Sequence, residues 1–283
     1  MGREELGAVA ALQGLNGTIT MIAGPALGGL LIAATGVRGA YGADVASFAL
    51  SLAALRVLDP IMPARRDPTA GVAAAVDGLR YAWARPELLG TYIVDFTAML
   101  FGMPTALFPA LAGQLHGGAG ALGLLYAAPA IGALAVSVGS GWTGRVRRQG
   151  LAVLWATSGW GTAIVAFGFA STLPAAVFFL AAAGAADMVS GLFRMTMWNQ
   201  TIPDDIRGRA AAVELISYAS GPSLGNVEAG AVASLTSLPV AIISGGVLCV
   251  VSCGLVAAAL PAMRRFDTTA PAASSRPTGG GGT

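Results

Sequence analysis

The sequence has few charged residues and no lysine. Only 11% of its 283 residues are charged, and all sixteen basic residues are arginines. A soluble domain usually has about 25% charged residues. Because 55% of the residues are hydrophobic and the mean hydropathy is +0.71, this scarcity excludes a disordered chain and a domain that binds nucleic acid. It indicates a protein whose surroundings are mainly lipid.

Histidine and cysteine are nearly absent. The only histidine is His116, and the two cysteines, Cys249 and Cys253, lie four residues apart inside an apolar run. This spacing is not that of metal ligands, and two cysteines do not make a disulfide scaffold. One histidine also leaves most Ser-His-Asp or Cys-His arrangements impossible. We therefore predict that the protein is not an enzyme and has no metal site and no cofactor.

Eight long apolar runs dominate the rest of the chain. A helix that crosses a bilayer needs about 20 mostly apolar residues. The runs are rich in alanine and lack the alternation typical of strands, which favours helices. We predict an all-α integral membrane protein with about eight transmembrane helices. The spans are Leu15–Ala34, Ala40–Leu58, Leu88–Ala112, Ala121–Trp142, Leu151–Ala170, Leu173–Trp198, Ala210–Leu235 and Pro239–Met263.

The arginines lie almost entirely on one side of the predicted spans. Fifteen of them fall in one alternating set of connections or at its helix ends, and Arg38 alone falls in the other. Since positive residues near spans stay in the cytoplasm, both termini and the long central connection are predicted to be cytoplasmic. The cytoplasmic set is Arg3, Arg56, Arg65, Arg66, Arg80, Arg85, Arg145, Arg147, Arg148, Arg194, Arg207, Arg209, Arg264, Arg265 and Arg276.

One long connection, residues 59–87, divides the spans into two before it and six after it. It begins with prolines and then has Val72, Val76, Leu79 and Trp83 at helical spacing, which predicts an amphipathic helix on the cytoplasmic surface. We therefore expect two spans in 1–58 and six in 88–265. The tail 266–283 is rich in Pro, Ser, Thr and Gly, which is typical of disorder.

Three ionisable residues inside the spans are candidates for function, since each costs about 3 kcal/mol at a helix centre. Asp95, in the third span, is interpreted either as a protonatable carboxylate in a water-filled path or as a buried acid bonded to a neighbouring helix. Asp187 and Arg194 share one face of the sixth span, seven residues apart. We expect them to be too distant for direct contact and to be linked by substrate or water. Arg194 alternatively snorkels to the cytoplasmic surface.

The remaining acids lie in the seventh and second spans. Glu214, near the cytoplasmic end, is expected to pair with Arg194 or Arg209, and Glu228 lies in the outer half among small residues. Asp44 is expected near the outer start of its helix, where the helix dipole favours an acid. The first, fourth, fifth and eighth spans have no acidic or basic residue in their interiors and are therefore able to face lipid.

Three stretches of the sequence resemble the major facilitator superfamily, in the branch that contains the enterobactin exporter. They are Ala11-Leu12-Gln13-Gly14-Leu15-Asn16 with Ile22-Ala23-Gly24-Pro25-Ala26-Leu27-Gly28-Gly29-Leu30-Leu31, then Thr91-Tyr92-Ile93-Val94-Asp95 with Phe101-Gly102-Met103-Pro104, and finally Trp198-Asn199-Gln200-Thr201-Ile202-Pro203-Asp204-Asp205 with Arg207-Gly208-Arg209 and Glu214-Leu215-Ile216-Ser217. The likeness extends to about Arg265.

The resemblance implies a helical bundle of the major facilitator type. That family has twelve spans in two halves joined by a long cytoplasmic loop, so the eight spans look like its fifth to twelfth, and its first four appear missing. The first and fourth helices of each half line a central cavity, which implies a substrate and proton pathway. The pathway residues are Asp95, Asp187, Arg194, Glu214, Glu228, Tyr92 and Asn199.

A weak copy of the family's loop motif is Gly141, Gly144, Arg145, Arg147 and Arg148, without its usual acid. With Arg207 and Arg209, these arginines are expected to form cytoplasmic gating loops.

The resemblance implies a secondary active transporter in the bacterial cytoplasmic membrane. We expect proton-coupled efflux of a small molecule, a siderophore or a drug-like compound, without ATP, by alternating access. The alternative is a truncated membrane protein that does not transport, or a full-length transporter whose start is misassigned.

Overall fold

The chain forms a bundle of antiparallel helices. The computed structural model describes residues 27–28, 31–32, 34–56, 72–115 and 118–267, without the side chains of 72–75, 204, 205, 207, 212 and 215. No strand occurs in these ranges. The helices are α1 (34–55), α2 (Val72–Trp83), α3 (Pro86–Phe101), α4 (Phe108–Gln114), α5 (Gly118–Val138), α6 (Gln149–Gly168), α7 (Leu173–Thr201), α8 (Asp204–Leu235), α9 (Leu238–Ala259) and α10 (Pro261–Arg264), with 3₁₀ turns at Thr105–Leu107 and Ser140–Arg145.

Five stretches of the described chain are long and apolar enough to cross a membrane. They are Pro86–Gln114, Gly118–Val138, Gln149–Gly168, Leu173–Thr201 and Leu238–Ala259, and each coincides with a predicted span. The all-α membrane class is thereby confirmed. Helix α8 covers the predicted span Ala210–Leu235 but is less apolar, because it contains Glu214, Asn226 and Glu228.

The two N-terminal predicted spans are described only in part. Most of Leu15–Ala34 lies outside the described residues, as do residues 57–71 and the tail from residue 268. Nearly every residue of α1 is exposed, including Val45, Phe48 and Leu50. Gly36 has a φ of +73°, a left-handed value that interrupts a right-handed helix, and the helical stretch that carries Asp44 begins after it. The position expected for Asp44 near the start of its helix stays a prediction.

Glycines let the helices pack backbone against backbone. A Cβ on Gly184 of α7 would collide with the carbonyl of Pro129 in α5. Helices α6 and α9 meet at a reciprocal glycine pair: a Cβ on Gly161 would lie 2.9 Å from the Gly246 carbonyl oxygen, and a Cβ on Gly246 would lie 2.7 Å from that of Gly161. Small residues at such crossings are typical of membrane helices, whose association depends on close contact.

The outward faces of the bundle are apolar. Trp155 of α6, Phe178 of α7 and Leu255 of α9 are all exposed, as expected for side chains in contact with lipid. The interiors of α6 and α9 have no acidic or basic residue, so these helices are able to border the bilayer. The charged residues Asp95, Asp187, Arg194 and Glu214 lie instead on α3, α7 and α8. Cys249 and Cys253 are buried and form no disulfide, on the α9 face that packs against α6.

Helix α2 coincides with the amphipathic helix expected in the long connection. It packs against the start of α8, where Gly78 lies against the backbone of Arg209. The Tyr81 hydroxyl donates to the carbonyl of Thr201 (3.1 Å), at the end of α7. Helix α2, which precedes the third predicted span, therefore contacts both α7 and α8.

Candidate functional site

A buried ion pair joins α3 to α7. The guanidinium of Arg194 forms a salt bridge with the carboxylate of Asp95, and only 5% and 2% of the two side chains are exposed. Two opposite charges are stable in such an interior only when they face each other. Arg194 therefore does not snorkel, and fourteen rather than fifteen arginines remain in the set expected on the cytoplasmic side.

A second carboxylate faces the same guanidinium. The Nη2 atom of Arg194 lies 3.9 Å from Oδ1 of Asp187, so the expectation that these residues are too far apart for direct interaction is wrong. They are separated by about 10 Å along the helix axis. Helical side chains lean toward the N-terminus of their helix, and the long Arg194 side chain thereby covers this distance.

The two acids differ in exposure. The Asp95 side chain is buried, whereas 39% of the Asp187 side chain is exposed. Asp187 borders a cavity of about 80 Å³ that is also lined by Gly102, Thr105 and Trp160. One Arg194 charge thus lies between a sealed carboxylate and an accessible one, and the three groups together have a net charge of −1 when ionised.

Next to Arg194, a larger cavity opens between α7 and α8. It has a volume of about 250 Å³, and its walls include Arg194, Glu214 and Tyr218. Glu214 lies near enough to Arg194 to interact with its charge, whereas Arg209 pairs with Asp77 at 3.5 Å on the exposed surface. Of the two partners expected for Glu214, the structure brings Arg194 close.

An aromatic pair forms the wall next to this cavity. The rings of Tyr92 and Trp198 stack with centroids 5.1 Å apart, and the Trp198 indole donates to the hydroxyl of Thr91 (2.9 Å). Tyr92, Trp198, Asn199 and Glu214 line a third cavity of about 160 Å³. Tyr92 and Asn199 therefore line the same cavity as Glu214.

Other predicted site residues lie elsewhere. Glu228 is about 21 Å farther along α8 than Glu214 and lines none of the three cavities described above. Arg145, Arg147 and Arg148 are exposed in the connection between α5 and α6. The Arg207 side chain lies outside the described part of the structure.

The sequence reasoning missed an interruption in the third predicted span. Between α3 and α4 the helix is broken from Gly102 to Pro104, and a 3₁₀ turn follows. The Trp160 indole donates to the carbonyl of Gly102 (3.0 Å), and the Tyr126 hydroxyl donates to that of Thr105 (3.2 Å). The only sequence signal is the Gly102-Met103-Pro104 stretch, since glycine and proline weaken a helix.

Comparison with known proteins agrees with this architecture. The sequence model of the transmembrane secretion effector family, a major facilitator family, matches residues 1–278. The chain is 30% identical over 275 residues to the enterobactin exporter EntS of Salmonella choleraesuis, covering 96% of this chain and 66% of the relative. It is 29% identical over 272 residues to EntS of Shigella boydii serotype 18 and of Escherichia coli O81, covering 96% of this chain and 65% of each.

The chain thus spans about two thirds of the length of these curated relatives. The family match confirms the resemblance seen in the sequence and supports a multi-pass membrane protein that is not an enzyme. The chain belongs to the transmembrane secretion effector family of the major facilitator superfamily.

Proposed function

We propose that this chain forms part of a secondary active exporter that moves a small molecule out of the bacterial cytoplasm in exchange for protons. The observation that carries the proposal is Arg194 held between Asp95 and Asp187 beside two cavities. Charged residues inside a membrane bundle are costly and mark ion or substrate pathways. The curated relatives are enterobactin exporters, which supports a cargo of the siderophore type.

In this proposal the two acids have different tasks. Asp95 is sealed against Arg194 and neutralises it, so that this pair is a fixed part of the bundle. Asp187 is accessible from a cavity and lies at the edge of the same cation, so it can take up and release a proton. Burial favours the neutral carboxyl and a cationic neighbour favours the carboxylate, and rocking of the bundle changes both. Of the two interpretations of Asp95 from the sequence, this proposal takes the buried acid bonded to a neighbouring helix, and it assigns the proton carrier to Asp187.

The cavities on the two sides of Arg194 supply the rest of the pathway. The cytoplasmic cavities present Glu214, Tyr92 and Asn199, which offer an acid, an aromatic face and an amide to a cargo that enters from the cytoplasm. The exposed Arg145, Arg147 and Arg148, with Arg207 and Arg209, are proposed to contribute to the cytoplasmic gates. Both termini are proposed to be cytoplasmic.

This orientation predicts the labelling of two exposed connections. A cysteine at Ser171, between α6 and α7, should react with a membrane-impermeant maleimide added to intact cells. A cysteine at Arg148, between α5 and α6, should react only after the cells are permeabilised. Both positions are exposed, so access to the reagent depends on the side of the membrane, and the native thiols are buried. The reverse pattern would overturn the orientation.

The transport proposal is tested in everted membrane vesicles, whose cytoplasmic face points outward. With an acidic interior, vesicles containing the chain should accumulate radiolabelled enterobactin, because protons leave as cargo enters. A protonophore should abolish this accumulation. Vesicles from the same strain without the chain provide the control. Equal accumulation with and without the pH gradient would exclude proton antiport, and no difference from the control would exclude transport of this cargo.

A further inference from the structure

The interruption between α3 and α4 is held by hydrogen bonds from three other helices. Trp160 of α6 and Tyr126 of α5 donate to carbonyl groups on its two sides. Asn226 of α8 accepts two bonds through Oδ1, from the Thr105 hydroxyl and from the Ala106 backbone N–H, both 2.9 Å long. Irregular backbone persists at membrane depth only where its polar groups find such partners.

Asn226 supplies a bond that the local backbone does not. The Thr105 N–H donates to the Met103 carbonyl (2.8 Å), and the Leu107 N–H donates to the Pro104 carbonyl (3.0 Å). The Ala106 N–H between them donates to Asn226. Without the Asn226 side chain, the Ala106 N–H and the Thr105 hydroxyl would lose the acceptor of their hydrogen bonds.

The position of Asn226 follows from its neighbour Gly225. A Cβ on Gly225 would lie 2.9 Å from the carbonyl oxygen of Met99 and would collide with that of Leu100. The α8 backbone therefore lies directly against the end of α3. This close approach brings the short Asn226 side chain to the interruption, and it makes the contact specific to one register of α8 against α3.

We propose that Asn226 is a positioning residue that holds the interruption closed and thereby couples movement of α8 to movement of α4. The inference rests on the proposed transport function, because the interruption lines the cavity at Asp187. When α8 shifts, the Asn226 bonds break, α4 is free to move relative to α3, and the access of water to Asp187 changes. Asn226 thus links movement of α8 to the access of water to Asp187.

The test uses the full chain in lipid nanodiscs with a cysteine introduced at Ala112 of α4, a position that is 3% exposed. The alkylation rate of this cysteine measures how often α4 opens. Asn226→Ala should raise this rate about tenfold, since two hydrogen bonds of roughly 0.5–1.5 kcal/mol each are lost. Asn226→Asp should leave the rate within about twofold, because a carboxylate oxygen accepts the same two bonds. Chains without the Ala112 cysteine measure the reactivity of Cys249 and Cys253.

Ser223→Ala is the matched control, because the Ser223 hydroxyl bonds only within α8, to the carbonyl of Ala219 (3.0 Å). Its alkylation rate should equal that of the parent chain. An unchanged rate in Asn226→Ala, or an equal increase in Ser223→Ala, would overturn the inference. A selective increase in Asn226→Ala without any transport by the parent chain would keep the inference and reject the proposed function.

Discussion

Replacing Arg194 by methionine is expected to lower the free energy of unfolding by about 3–5 kcal/mol, the range seen when one partner of a buried ion pair is removed. The substitution keeps an unbranched side chain but leaves Asp95 in the bundle interior without its cation. The weaker contact of Arg194 with Asp187 is lost as well. An SDS titration of the purified protein in mixed micelles measures the change.

The surface pair of Arg209 and Asp77 provides the matched control. These side chains are 54% and 55% exposed and 3.5 Å apart, so Arg209→Met should cost less than about 1 kcal/mol. Asp95→Asn alone should also destabilise the bundle, whereas Asp95→Asn combined with Arg194→Met should recover part of the loss. The double variant removes the buried Asp95 carboxylate that Arg194→Met leaves without its cation, and only the more weakly held Asp187 still lacks a partner. Equal effects of Arg194→Met and Arg209→Met would contradict the assignment of a buried pair.

Replacing Asp187 by asparagine should abolish transport driven by a pH gradient while preserving the fold. Asparagine has the same shape and still forms hydrogen bonds, and Arg194 keeps its main partner, Asp95. The exchangeable negative charge is lost, so protons can no longer be coupled to cargo. Downhill exchange of labelled for unlabelled enterobactin, and binding of enterobactin, should remain. The measurement is accumulation in everted vesicles, normalised to the amount of folded protein.

Glu228→Gln is the control for this prediction. It removes a carboxylate from a distant part of α8, and gradient-driven accumulation should stay near that of the parent chain. If Asp187→Asn accumulates cargo as the parent does, Asp187 does not carry the coupling proton. If the loss falls on Glu228→Gln instead, the pathway runs along the C-terminal half of α8 rather than past Arg194.

The spans and the charged helices are predictable from the sequence for two reasons: a segment that crosses lipid must be long and apolar, and a charge inside it must have a partner. A long apolar run such as Leu238–Ala259 has few alternatives to a membrane helix. An arginine inside such a helix requires an acidic partner, so Asp95 and Asp187 are natural candidates. Which acid binds Arg194 is not predictable, because it depends on the rotation of α3 against α7 and on the reach of one flexible side chain.

The interruption after α3 is not predictable from the local sequence. Gly102 and Pro104 weaken a helix, but Pro129 and Pro222 lie inside α5 and α8, which continue through them. The difference lies in distant partners. Trp160 and Asn226 come from segments far along the chain, and they supply the hydrogen bonds that make a broken backbone tolerable in lipid.

The reciprocal contact of Gly161 and Gly246 restricts how this protein can diverge. Each glycine leaves room for the carbonyl oxygen of the other, so the first substitution at either position meets backbone that cannot rotate away. A second substitution at the partner adds another clash instead of relieving the first. A substitution at one position therefore never makes room for a substitution at the other. Descendants of this sequence are expected to retain both glycines until the crossing of α6 and α9 itself is rebuilt, while the lipid-facing side chains of the same helices remain free to drift.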